Sequence, residues 1–254
     1  MEPILKVENL TKVFSRAGQE DFTAVNSIRF DLSPGECLGI IGESGSGKTT
    51  AVNMITRLQD ATSGSIVLDG KEITHLKGRE LRKVYRKMQM VFQTPTDSFD
   101  PRRTLGDGIG ESLRNIGMSR KETREEVERL LGKCGLPADF ADRYPHQVSG
   151  GQCQRAAIAR ALAVKPRLLI CDEATSALDV TVQKEILELL NELRSQQGNS
   201  LSILFICHDI SLVQQFCDRV LVMYHGSIVE EGTPDAVIGR PRNTYTKRLI
   251  DSVL

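Results

Sequence analysis

The chain has 254 residues, 40% of them hydrophobic and 26% charged, which is enough apolar material for one large or two modest cored domains under a solvated surface. Its 33 basic and 33 acidic residues cancel, which argues against a nucleic-acid partner, because free-standing binders carry a basic excess that neutralises phosphates. No apolar run approaches the roughly 18 residues that a membrane-spanning helix needs, and Met1–Lys6 lacks the basic flank and apolar core of a signal segment, so the expected location is the cytosol.

In chain order, Ile4–Pro34 reads as strands and turns. Ile4-Leu5-Lys6-Val7 and Ile28-Arg29-Phe30-Asp31-Leu32 alternate apolar with polar, and Pro34-Gly35 marks a turn. Cys37-Leu38-Gly39-Ile40-Ile41 is almost purely apolar, as expected of a strand covered on both faces of a parallel sheet. A Gly-rich loop follows, then a helix expected from Thr49 to about Leu58. The middle, about 79–147, offers no strong strand after Met88–Phe92 and reads as a helical insertion. Its clearest element is an amphipathic helix at Lys121–Cys134, with a Ser119/Glu122 capping box and an apolar stripe of Val127, Leu130, Leu131 and Cys134. Two more buried-strand runs, Leu168–Cys171 and Ser202–Cys207, flank a helix marked by Ile186, Leu190 and Leu193. Strand, helix, strand is the grammar of an α/β domain. The end, Tyr245–Leu254, is either a short docking helix or a tail. None of the six cysteines forms a Cys-x-x-Cys pair, and Cys37, Cys171 and Cys207 sit in apolar runs, so they are expected to be reduced, buried small hydrophobes. His75, His146 and His225 are expected in loops or at the surface.

Three segments carry chemistry. Gly42-Glu43-Ser44-Gly45-Ser46-Gly47-Lys48-Thr49 fits G-x-x-x-x-G-K-[ST]. Glycines let backbone N–H groups turn inward around phosphate oxygens, and the helix that follows points its positive end at the same anion. Lys48 is placed to reach the β- and γ-phosphates, and the Thr49 hydroxyl to ligate magnesium. Leu168-Leu169-Ile170-Cys171-Asp172-Glu173 ends an apolar strand in two acids at its carboxyl edge, where open α/β sheets bind ligands. Asp172 is expected to hold magnesium, and Glu173 to orient or deprotonate a water. Val148-Ser149-Gly150-Gly151-Gln152 opens an alanine-rich helix and forms a second anion-binding end. One phosphate-loop fold needs one such cradle, so this implies a second site or one shared between subunits.

Together these segments resemble the ABC ATPases, whose Walker A, signature and Walker B motifs occur in this order and spacing. Gln93, after Met90-Val91-Phe92, resembles the Q-loop glutamine; Ser176-Ala177-Leu178-Asp179 resembles the D-loop; His208 resembles the switch histidine; Phe14 falls where an aromatic would stack on adenine. The resemblance implies an α/β P-loop NTPase core with an N-terminal antiparallel β-subdomain and a helical insertion. It divides one domain into 1–78, about 79–160 and about 161–254. It also implies ATP as substrate with Mg2+, held by Phe14, Gly42, Ser44, Gly45, Ser46, Gly47, Lys48, Thr49, Thr50, Gln93 and Asp172. The metal falls to Thr49, Gln93 and Asp172, and catalysis to Glu173, His208, Lys48 and Gln93. Ser149, Gly150, Gly151, Gln152 and Asp179 complete the nucleotide set, the signature glycines closing the site from a partner. The departures are Val148 for leucine, Ala174 for proline and Phe14 for tyrosine, and none removes a group that the chemistry needs.

Gln93–Arg102, Arg143-Tyr144-Pro145-His146-Gln147 and Pro241–Leu249 look like the oligopeptide, dipeptide and nickel importer branch. That branch implies a peripheral subunit on the cytoplasmic face of the membrane. Its partners are two permeases, a second nucleotide-binding subunit (a paralogue or a second copy) and, indirectly, an extracytoplasmic substrate-binding protein. Peptide is the expected cargo and a nickel chelate the other. The chain ends without the cysteine cluster of some members, so no iron–sulfur centre is expected. The rival reading is a soluble ABC ATPase of DNA repair or translation, which usually adds long heptad segments, zinc inserts or a second ATPase domain.

Overall fold

A computed structural model describes residues 2–15, 18, 20–174, 178–196 and 201–252. In chain order the elements are β1 (Leu5–Phe14), β2 (Phe22–Leu32), β3 (Cys37–Ile41), α1 (Lys48–Ile55), β4 (Ser63–Leu68), β5 (Lys71–Glu72), α2 (Gly78–Val84), β6 (Met88–Val91), α3 (Leu105–Asn115), α4 (Arg120–Lys133), α5 (Gly150–Leu162), β7 (Leu168–Asp172), α6 (Val180–Gln196), β8 (Ser202–Ile206), α7 (Ile210–Phe216), β9 (Arg219–Tyr224), β10 (Ser227–Gly232), α8 (Pro234–Val237) and α9 (Thr244–Asp251). Short 3-10 turns at Pro95–Ser98, Ala138–Asp142 and Pro145–Gln147 punctuate the middle of the chain.

Two sheets organise the molecule. The first is antiparallel, in the order β2-β1-β4-β5, and the second runs β10-β9-β3-β8-β7-β6. Within the second sheet every pairing from β9 to β6 is parallel, and β10 joins β9 as an antiparallel edge. The alternation of side chains explains why β3 reads as continuously apolar. Cys37 and Ile41 enter a core shared with α3, α4, α5, α6, α7 and α9, while Leu38 and Ile40 enter a second core shared with α1 and the antiparallel sheet. Strands β7 and β8 split the same way, with Leu169, Cys171, Ile203 and Phe205 on one face and Leu168, Ile170, Leu204 and Ile206 on the other. A strand covered on both faces cannot alternate with polar residues. This is the α/β architecture with an antiparallel β-subdomain and an inserted helical region that the sequence led us to expect.

The differences lie at the ends of elements. Strand β1 runs on to Phe14 although its pattern fades after Val7, because register shifts against β2 interrupt the alternation and Asn9 takes a positive φ of 48°. The first helix stops at Ile55 rather than near Leu58, and Arg57 turns the chain with φ 60°. Helix α4 begins one residue early, at Arg120, behind its reciprocal Ser119/Glu122 capping box. The hairpin of β9 and β10 was not read from the sequence at all. All six cysteines are free thiols in the core, and His75, His146 and His225 are exposed.

Candidate nucleotide-binding site

Parallel register places the chemistry on one edge. Ile40 of β3 lies opposite Ile206 of β8, so Gly42 and His208, each two residues on, leave the same edge side by side. Asp172 of β7 lies opposite Ile206, and Val91 of β6 opposite Cys171, which brings Asp172, Glu173 and Gln93 to that edge too. These are the carboxyl ends of the strands, the binding edge of an open α/β sheet.

The loop from Gly42 to Gly47 is tightly seated. A Cβ on Gly42 (φ 149°) would stand 2.3 Å from the Met223 carbonyl oxygen, and one on Gly47 (φ 103°) 2.5 Å from that of Ala24. Both close approaches and both positive φ values require glycine. Gly226, in the turn between β9 and β10, donates its N–H to the Ser46 carbonyl at 2.9 Å. Lys48 opens α1 and is 4% exposed; its Nζ donates to the Gly42 carbonyl at 2.6 Å and the Glu43 carbonyl at 2.9 Å. Burial lowers the Lys48 pKa, against the charges of Glu173 and Asp172. Thr49 is exposed on the first turn, with Thr50 beside it half-buried; Ser44 and Gly45 are exposed at the loop tip, and Ser46 is buried.

Opposite stand the two acids. Burial raises the Asp172 pKa and the Glu173 charge adds to it, against Lys48 and His208. Asp172 Oδ1 is buried with no hydrogen-bond partner. Glu173 holds an unusual positive φ of 50°, fixed by its N–H donating to the Ile206 carbonyl at 3.0 Å. A non-glycine residue in that region is strained, and such strain gathers at functional sites. Glu173 Oε1 pairs with His208 Nε2, and His208 is the more open of the two, at 44% against 14% side-chain exposure.

Among the described residues, the others named from the sequence make no hydrogen bond or ion pair with the phosphate loop. Gln93 is exposed just beyond β6. Phe14 is half-buried at the end of β1, with the Lys12 ammonium 5.2 Å from its ring centre and exposed Phe22 opposite it on β2. Ser149 caps α5 reciprocally: Gln152 N donates to Ser149 Oγ at 3.3 Å, and Ser149 N to Gln152 Oε1 at 3.0 Å. Gly150 and Gly151 face Leu178 and Val182 rather than the phosphate loop. Asp179 caps α6 through Val182 N at 3.0 Å; Ser176 and Ala177 lie outside the described residues. Sequence reasoning missed one residue at the site, Tyr245 of α9, whose hydroxyl accepts the Glu43 N–H at 3.0 Å. The sequence marks that region only as a docking helix or tail and as a segment like one importer branch; it is a helix, and neither expectation names the tyrosine for the site.

A family model described as ABC transporter matches residues 25–176. The oligopeptide transport ATP-binding protein OppF of Escherichia coli is 47% identical over 91% of this chain and 69% of its own length. The chain belongs to the ABC transporter family. A probable peptide ABC transporter ATP-binding protein of Sinorhizobium fredii is 44% identical over 98% of this chain and 72% of its own. The glutathione import ATP-binding protein of Pectobacterium atrosepticum is likewise 44% identical over 99% of this chain, which spans only 41% of that protein. Among solved structures, a dimeric ATP-binding cassette, MJ0796, bound to ADP and Pi superposes with a TM-score of 0.82 at 32% identity, covering 91% of this chain and 98% of that one. As an ABC cassette the chain binds ATP and hydrolyses it. The site also suits magnesium, because Asp172 Oδ1 is an orphaned buried acceptor and the Thr49 hydroxyl stands exposed where α1 leaves the loop. Among the described residues no helix is long and apolar enough to cross a membrane.

Proposed function

We propose that this chain is the ATP-hydrolysing subunit of an ABC importer of peptides, seated under two permeases with a second ATP-binding subunit, its paralogue. The observation that carries this reading is 47% identity, over nine-tenths of the chain, to an oligopeptide transport ATP-binding protein. An intact Glu173–His208 pair beside the phosphate loop supports hydrolysis rather than a regulatory role.

In this mechanism Phe14 stacks on adenine, and the N–H groups between Ser44 and Thr50 surround the phosphates. Lys48 leaves the Gly42 and Glu43 carbonyls for phosphate oxygens, exchanging dipoles for anions in a buried setting where charge attraction is strong. Asp172, Thr49 and Gln93 would hold magnesium, which would supply charge neutralisation at the phosphates. Glu173 accepts the proton of the water that attacks the γ-phosphorus, and His208 holds that carboxylate in place. Ser149, Gly150, Gly151 and Gln152 of the second subunit close the site, with Asp179 at its rim. Closure excludes water and completes the set of groups.

The permeases meet the helical region, about 79–160 of a single domain. A basic groove of about 660 Å³ there is lined by Arg79, Arg82, Lys83, Arg86 and Ile116. Gln93 follows β6 at the edge that holds the acids and leads the chain into the helical region, so in this reading nucleotide occupancy biases the region that the permease touches.

Tagged Glu173→Gln protein, purified with ATP from gently solubilised native membranes, tests the whole reading. Two permeases and a second ATP-binding subunit are the expected companions. Recovery of nucleic-acid or ribosomal proteins alone would sink the importer. The variant should still bind ATP while turnover falls by about 10²-fold or more, the scale of losing a positioned base.

A further inference from the structure

The phosphate loop is held from a direction that its own motif does not encode. Helix α9, near the end of the chain, is capped by Asn243, whose side chain accepts the Tyr245 N–H at 2.8 Å. It is moored to β10 by Glu230, whose carboxylate accepts the N–H groups of Arg242 at 2.8 Å and Asn243 at 3.1 Å. Tyr245 is 5% exposed and stacks on Tyr224, with ring centres 3.9 Å apart and planes 27° from parallel. Tyr224 ends β9, next to the turn whose Gly226 N–H holds the Ser46 carbonyl. From this platform the Tyr245 hydroxyl takes the N–H of Glu43, 202 positions away in sequence.

Glu43 is thus pinned on both sides of its Cα. Its N–H goes to the phenol and its C=O to Lys48 Nζ. The second bond is one that Lys48 must break to reach phosphate, and the first is not. We propose that Tyr245 is a positioning residue for nucleotide binding: it keeps the Glu43 end of the phosphate loop formed when Lys48 turns to ATP. A loop ordered in advance loses less conformational entropy on binding. The benefit falls on ATP affinity, because the phenol acts through the backbone of the loop that receives the phosphates. The inference rests on the phosphate loop being the ATP site.

The experiment uses the full chain, alone for binding and with its second ATP-binding subunit for turnover. Tyr245→Phe removes the hydroxyl and keeps the stack; Tyr245→Ala removes both and serves as the severe case. For Tyr245→Phe we expect ATP affinity to weaken and KM to rise about 3- to 10-fold, the range of one lost hydrogen bond, with kcat within about twofold. Backbone hydrogen exchange at Glu43 should accelerate while that of β3 and α1 is unchanged. A Tyr245→Phe chain with wild-type KM and unaltered exchange at Glu43 overturns the proposal, as does a loss of melting temperature with no change in KM. Wild-type chain that fails to bind ATP would instead overturn the loop assignment on which the proposal rests.

Discussion

Asp172 shows the cost of holding a carboxylate ready for chemistry. Its pKa lies above the ordinary carboxylate value, burial being the larger cause and the Glu173 charge the second. The folded chain therefore binds that proton more tightly than the unfolded chain. Stability falls as pH rises through the interval between the unfolded and folded pKa values, and the charge is a net cost at neutral pH. Asp172→Asn removes the charge at nearly constant shape. We predict that it melts higher than wild type at pH 7, by roughly 2–4 °C for each kcal/mol relieved, and has lost ATP hydrolysis. The gap should shrink as pH is lowered below about 3.9, the unfolded carboxylate value, where the wild-type group becomes protonated in both states. Calorimetry across that range checks the sign. A variant less stable than wild type at pH 7 would mean that Asp172 is better compensated by Lys48 and His208 than its orphaned Oδ1 suggests. The strained φ of Glu173 and the buried lysine belong to the same trade between stability and activity.

At the scale of elements, two helices begin with the same device and differ in what their first turn offers. Ser119 and Glu122 cap α4, and Ser149 and Gln152 cap α5, each pair reciprocally. Replacing either serine by alanine should cost about 1 kcal/mol of unfolding free energy. Only α5 presents two glycines behind its cap. Ser119→Ala should therefore leave ATP turnover by the assembled subunits unchanged, whereas Ser149→Ala should lower it at least tenfold. Denaturant titration reads the first effect and a phosphate-release assay the second; equal turnover in the two variants would reduce the signature to a helix cap. The Ser119/Glu122 box was legible, because a cap is a contact over three positions; Ser149 and Gln152 have the same spacing, but the glycines between them point to an anion site instead. The strands β3, β7 and β8 were legible for a related reason: covered on both faces, they have no polar residues to disguise them. Strand β1 was half legible, since its register shifts break the period on which such reading depends. The hydroxyl of Tyr245 was not legible at all. Nothing in local pattern encodes a hydrogen bond to residue 43; it exists only once β9, β10 and α9 have brought the end of the chain back to the first phosphate-loop residues.

At the scale of the whole molecule, the two anion-binding ends of the chain do not meet. Gly47 and Lys48 point α1 at the edge holding Asp172 and Glu173, whereas Ser149 and Gly150 are exposed, with Gly150 beside Leu178 and Gly151 beside Val182. A similar cassette bound to ADP and Pi is dimeric. If two subunits close head to tail, each site takes its phosphate loop from one chain and its signature from the other. That division can be counted in the complex with the second ATP-binding subunit. Lys48→Ala in this chain disables the site built on its own phosphate loop, while Gly150→Asp in this chain disables the site built on its partner's. Each change alone should leave one ATP retained per closed pair, and the two together should leave none. If phosphate loop and signature of the same chain formed a single site, both single variants and the double would disable that one site, and all three would retain the same ATP. Retained nucleotide, measured after rapid removal of free ATP with Glu173→Gln in this chain and the matching glutamate of the second subunit also replaced by glutamine, separates these outcomes because hydrolysis is then blocked at both sites and only the number of closed sites is read.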